Sequence, residues 1–140
     1  MTKAKVIFAD DDKVMRSVVS GLLEQHGYDV LVAKDGDETV RLTKETLPSA
    51  VIMDIKMPNK NGIEACRELK ANNSTKLIPV IMLTGVAGLE EISQALASGA
   101  VSCLTKPCDT KSLLKTLANA IAPCKHACWS KPRRESSLRN

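Results

Sequence analysis

At 140 residues the chain is about one domain long, and its 44% apolar and 26% charged residues exclude a disordered or fibrous protein. No run approaches the roughly 18 to 20 apolar residues needed to cross a bilayer. The apolar run after Lys5 at the start is too short for a signal peptide, so a cytoplasmic location with no membrane partner is expected. The net charge of +4 resides in the C-terminal stretch: residues 1–122 carry 15 Lys plus Arg against 15 Asp plus Glu. The body therefore gives no electrostatic reason to expect direct nucleic-acid binding.

Lys5 to Ala9 is a short apolar run ending at Asp10-Asp11-Asp12, which predicts a first buried strand with an acidic end. Val14, Met15, Val18, Val19, Leu22 and Leu23 then fall on one stripe of an amphipathic helix that Gly27 stops. Asp29 to Ala33 reads as a second strand, and Asp35-Gly36-Asp37 as the turn into a helix that ends near Pro48. The run Ala50-Val51-Ile52-Met53 ends at Asp54, the pattern of a buried parallel strand delivering a carboxylate to the edge of its sheet.

Asn59-Lys60-Asn61-Gly62 is a loop by composition, and Ile63, Cys66 and Leu69 mark the inner side of a third helix that gives way at Asn72-Asn73-Ser74. Pro79 to Leu83 is a fourth strand, ending at Thr84-Gly85. Leu89, Ile92 and Leu96 supply the inward stripe of a fourth helix up to Gly99. Val101 to Thr105 is a fifth strand closed by Lys106-Pro107. Leu113, Leu114, Leu117 and Ile121 line a last helix that Asp109 caps, and Pro123 ends the regular pattern.

Five alternations of strand and helix imply an α/β fold: a five-stranded parallel sheet, helices on both faces, in the flavodoxin-like order 2-1-3-4-5. Residues 1–122 form that domain, and 123–140 are expected to be a basic, flexible tail. The five cysteines, Cys66, Cys103, Cys108, Cys124 and Cys128, are read as reduced thiols. Cys124, His126 and Cys128 offer three metal donors with no second cluster, a weak metal-site signal.

In such sheets ligands sit beyond the C-terminal strand ends. Asp10 and Asp11, Asp54, Thr84 and Lys106 stand there, and neighbouring strands are roughly 4.8 Å apart, so three carboxylates converge with a hydroxyl and an ammonium. Clustered carboxylates repel unless a cation is present, and Mg²⁺ suits a few oxygen donors beside a phosphate. With Asp10 and Asp11 holding the metal, Asp54 is placed as a nucleophile toward phosphorus, and Lys106 and Thr84 as partners of the phosphoryl oxygens. Singly, each residue has a plainer reading: a solvated strand end, a surface lysine, a β-branched strand residue.

Phe8-Ala9-Asp10-Asp11-Asp12, Met53-Asp54-Ile55-Lys56-Met57-Pro58, Leu83-Thr84-Gly85 and Leu104-Thr105-Lys106-Pro107 together resemble the four signatures of response-regulator receiver domains of two-component signalling. The resemblance covers about residues 4–122. It implies that Asp54 is the phosphoacceptor, that Asp10, Asp11, Asp54 and the Lys56 carbonyl ligate Mg²⁺, and that Thr84 and Lys106 contact the phosphoryl group. It also implies a cis Lys106-Pro107 peptide. Matching Met15-Arg16 to the family's first helix leaves Asp12 as the helix N-cap. The Lys56 side chain stands where the family tunes phosphoryl lifetime; a solvated loop lysine is the alternative.

One departure concerns the switch. The family couples a hydroxyl at the Thr84 position to an aromatic three residues before the lysine, and here that residue is Cys103. Movement of Thr84 and of the loop from Gly85 to Gly88 is then the expected route to the face of helix 4, strand 5 and helix 5. The implied partners are a sensor histidine kinase or histidine phosphotransfer protein as donor and a downstream protein target, with the chain a monomer or a phosphorylation-dependent dimer. Its task is signalling, not turnover, although it catalyses its own phosphorylation and slow dephosphorylation.

Two rival functions are an interaction module that is never phosphorylated and a Mg²⁺-dependent phosphatase of the haloacid dehalogenase type. The latter wants a second aspartate two places after the nucleophile, where this chain has Lys56. Arg133-Arg134 reads as a solvated tail or as a docking point for an acidic partner.

Overall fold

The computed structural model describes residues 3–85, 89–106 and 109–126, and of residues 122–126 the helical backbone alone. The elements run β1 (Ala4–Ala9), α1 (Lys13–Gln25), β2 (Tyr28–Ala33), α2 (Gly36–Thr46), β3 (Ala50–Asp54), α3 (Gly62–Ala71), β4 (Val80–Thr84), α4 (Leu89–Ala97), β5 (Ser102–Thr105) and α5 (Thr110–His126). All pairings are parallel and the sheet order is β2-β1-β3-β4-β5, as the strand and helix alternation predicts.

The three central strands are apolar on both faces because both are covered. Val6, Phe8, Ile52, Ile81 and Leu83 point toward α1 and α5, and meet Val19, Leu23, Leu113, Leu117 and Ile121. Ile7, Val51, Met53, Val80 and Met82 point the other way, against Val40 of α2, Ile63, Cys66 and Leu69 of α3, and Ala95 of α4. The period-2 alternation of strand side chains thus divides one apolar run between two cores.

The helix starts are built by local acceptors. Asp12 accepts from Val14 N at 2.9 Å, Asp35 from Glu38 N at 2.8 Å, and Asp109 from Ser112 N at 2.6 Å. Asn61 and Glu64 form a reciprocal capping box at α3. Gly27, at φ +92°, follows α1 in the left-handed region that ends helices.

Four expectations are corrected. On α1, Val14 and Val18 are 68% and 60% exposed, so only part of the predicted stripe faces the core. On α4, Leu89 and Leu96 are exposed and Ala95 is the buried residue, because a small side chain lets the helix pack closely on the sheet. Val101 precedes β5, exposed, where the fifth strand was expected to include it. Finally, α5 continues past Pro123 to His126. Proline removes one helical donor there, but the thirteen preceding helical positions are anchored by Leu113, Leu117 and Ile121. Cys108, Cys128, the Lys106-Pro107 peptide, the loop of residues 86–88 and the stretch 127–140 lie outside the described residues, as does the Cys124 side chain.

Gly62 opens α3 immediately behind the end of β3. Its N–H donates to the Ile55 carbonyl at 2.8 Å, and a Cβ at this position would stand 2.5 Å from the Asp54 carbonyl oxygen. Backbone cannot yield as a flexible side chain can. Gly62→Ala is therefore expected to lower stability by about 1–3 kcal/mol, read as a shifted midpoint of urea unfolding at unchanged slope.

Candidate functional site

Asp10 follows β1, where its N–H donates to the Ala33 carbonyl of β2 at 3.0 Å. Its carboxylate is 1% exposed. Oδ1 accepts from Asp12 N at 2.9 Å and Oδ2 from Lys106 Nζ at 2.8 Å, while Arg16 Nη1 donates to the Asp10 carbonyl at 2.8 Å. Asp54 is the last residue of β3, and the pairing of Ala9 with Met53 brings it beside Asp10. It is also buried, and its Oδ2 accepts from Lys106 Nζ at 2.9 Å. One ammonium thus bridges two buried carboxylates that belong to neighbouring strands.

Lys106 comes from the far end of the sheet. Its backbone N–H donates to the Thr84 carbonyl at 2.7 Å, which holds the residue after β5 alongside the last residue of β4. From there its side chain reaches across to β3 and β1. Thr84 is buried at the same edge. Asp11 is exposed, and one carboxylate oxygen from each of Asp10, Asp11 and Asp54 lies within 4.8 Å of the others. The predicted Asp10, Asp11, Asp54, Thr84 and Lys106 are therefore brought to one edge.

The charges are out of balance, with three carboxylates facing one lysine. Burial pushes the Asp54 carboxyl above its ordinary range; the Lys106 hydrogen bond and charge oppose this, the Asp10 charge adds to it, and the Lys56 N–H opposes it. For Lys106, burial alone disfavours the charged form, but its hydrogen bonds to Asp10 and Asp54 outweigh that and raise it overall. A cluster that already recruits an ammonium and still carries surplus negative charge, through hard oxygen donors at this spacing, fits a small divalent cation such as Mg²⁺.

The Lys56 backbone lies beside the Asp54 carboxylate and lowers its pKa, while the side chain is exposed and makes no ion pair among the described residues. Cys103 is half-buried, packs against the core under α2, α3 and α4, and stands beside Met82 of β4. Burial raises its thiol pKa, and the nearby Glu91 charge adds to this. Cys66 is buried and donates to the Ser98 carbonyl at 3.5 Å.

Two contacts escaped the sequence. Arg16 was legible only as a helix residue, although one turn beyond Asp12 it is correctly spaced to reach back to Asp10. The bond from Asn59 to Asp35 joins segments 24 residues apart, and no local pattern announces it.

Residues 6–118 match the response regulator receiver domain, and the chain belongs to that family. It is a receiver of the two-component phosphoacceptor class; such domains are signalling domains, not classical enzymes. Among curated relatives it is 36% identical to the protein PilH of Pseudomonas aeruginosa, over 85% of this chain and 98% of PilH. It spans between 46% and 57% of the length of several longer relatives.

Among solved structures, the chemotaxis response regulator CheY4 of Vibrio cholerae superposes with a TM-score of 0.80 at 34% identity, covering 85% of this chain and 99% of that one. The receiver domain of the sensor histidine kinase PA1611 from Pseudomonas aeruginosa, solved with a magnesium ion in its active-site cleft, gives a TM-score of 0.81 at 27% identity, covering 86% and 99%. No helix among the described residues is long and apolar enough to cross a membrane.

Proposed function

We propose that this chain takes a phosphoryl group from a phosphohistidine donor onto Asp54 and presents the altered face of α4, β5 and α5 to a protein target. The observation that carries the reading is the Lys106 ammonium bridging Asp10 and Asp54 at 2.8 and 2.9 Å within a surplus of carboxylate. A carboxylate oxygen of Asp54 attacks phosphorus; the P–N bond to the donor imidazole breaks as the P–O bond forms, giving an aspartyl phosphate. Lys106 exchanges its bond to the Asp54 oxygen for one to a phosphoryl oxygen, and the Thr84 hydroxyl donates to another.

Mg²⁺, when bound by Asp10, Asp11, Asp54 and the Lys56 carbonyl, neutralises charge on the phosphoryl oxygens. Arg16 and the Asp12 N–H hold Asp10 in place. Hydrolysis of the aspartyl phosphate by water resets the site. All the groups this chemistry uses lie within residues 1–122, and the basic stretch 123–140, which begins within the last turn of α5, takes no part in it.

The switch runs from Thr84 along β4 to β5, where Cys103 replaces a bulkier side chain. Leu89 and Leu96, two helical turns apart on α4, expose apolar surface that a target can cover. Intact mass after incubation with acetyl phosphate and Mg²⁺ tests the reading. The expected result is one added phosphoryl group, not formed when the metal is chelated beforehand and absent from Asp54→Ala. An unchanged mass, together with no beryllofluoride binding, would show that the site takes no phosphoryl group.

A further inference from the structure

We infer that Asn59 is a positioning residue that, through Asp35, locks the loop carrying Lys56 in the register the metal and phosphoryl site requires. This deepens the function proposed above and rests on it. The loop of residues 55–61 leaves the phosphoacceptor strand and is tied at both ends. At its base, Ile55 N donates to the Leu83 carbonyl at 3.0 Å, and Gly62 N returns to the Ile55 carbonyl at 2.8 Å.

At its tip the loop is fastened to the first turn of α2. Asn59 Nδ2 donates to Asp35 Oδ2 at 2.8 Å, while Asp35 Oδ1 is occupied as the α2 N-cap. Gly36 N donates to the Lys60 carbonyl at 3.0 Å, with no room for a Cβ between them. The Lys60 ammonium adds ion pairs to Asp37 and Glu68. Lys56 lies between the two anchors. Its side chain is exposed and unpaired among the described residues, so the anchors at Ile55, Asn59, Lys60 and Gly62 set where its peptide points.

Position 59 makes two demands. Its φ is +68°, a region that Gly, Asn and Asp enter at least cost, and it must also supply a donor to a buried carboxylate. Asparagine alone of the three meets both. The contact is a partner behind a metal-facing group, the kind of position whose loss weakens metal binding without removing a ligand.

The test compares the full chain with Asn59→Gly, which allows the same positive φ and keeps the net charge while removing the amide side chain. The expected result is Mg²⁺ binding weakened about tenfold by calorimetry, with faster hydrogen exchange of the Lys56 amide in the absence of metal. The exchanged pair Asn59→Asp with Asp35→Asn has the same net charge and can re-form the contact with donor and acceptor reversed. It is expected to restore both readouts to within about twofold, since each member remains compatible with its turn or cap. Parental Mg²⁺ affinity and Lys56 exchange in folded Asn59→Gly would overturn the positioning role, as would an exchanged pair no better than Asn59→Gly. Failure of the unaltered chain to bind Mg²⁺ would overturn the functional reading itself, while Lys56 exchange would still report whether Asn59 holds the loop.

Discussion

Asp54→Asn is expected to abolish phosphorylation and, at neutral pH, to make the protein more stable. The two effects have one cause. The Asp54 carboxyl is raised above 3.8 in the folded state, burial being the largest contribution, so folding disfavours its charged form. Between 3.8 and the raised value the folded chain holds a proton that the unfolded chain has released, and stability falls as pH rises through that window. Above it the full penalty is present; below 3.8 it vanishes.

Asparagine has nearly the shape of the protonated acid and keeps an oxygen for Lys106. It should therefore recover the penalty and raise Tm at neutral pH. Thermal unfolding at pH 7 and pH 3.5 checks this: the gain should appear at the higher pH and largely disappear at the lower. An acceptor that is strained when empty and costs nothing when neutralised is one whose charge is kept for chemistry.

Lys106→Met should do the opposite. It keeps a long flexible apolar stem and deletes the ammonium that both Asp10 and Asp54 share. Two buried carboxylates are then left facing each other, a loss of about 1–3 kcal/mol at neutral pH by urea unfolding. Because the Lys106 pKa is raised in the folded state, the stabilisation it supplies is whole below 10.5 and is lost as pH rises through the raised value. The deficit of Lys106→Met should accordingly close in strong alkali. The rate of Asp54 phosphorylation by acetyl phosphate should fall about 10²- to 10³-fold, the cost of removing one preorganised partner of the transferring oxygens. A variant that loses stability but keeps its phosphorylation rate would confine Lys106 to a structural part.

The sheet and the acidic edge were legible because each rests on a local pattern. A strand buried on both faces is a continuous apolar run, and Asp10, Asp54, Thr84 and Lys106 each stand directly after or at the end of one. What was not legible depends on packing. Leu89 and Leu96 have core-like spacing on α4, yet the small Ala95 is the residue that meets the sheet. Thr39 and Thr43 look polar, but they are buried on α2 because each hydroxyl donates to a carbonyl one turn earlier, at 2.7 and 2.6 Å. Pro123 reads as a stop although the helix continues to His126. Arg16 on Asp10 and Asn59 on Asp35 are tertiary contacts of ordinary surface residues, and only the folded chain brings them together.

The most direct test of the central claim is to locate the phosphoryl group. After reaction with acetyl phosphate and Mg²⁺, borohydride reduction converts an aspartyl phosphate to homoserine, and peptide mapping by mass spectrometry identifies the position. Conversion at Asp54 alone is the predicted result. Conversion at Asp10, Asp11 or Asp12, or a phosphoryl group held elsewhere in the chain, would contradict the account.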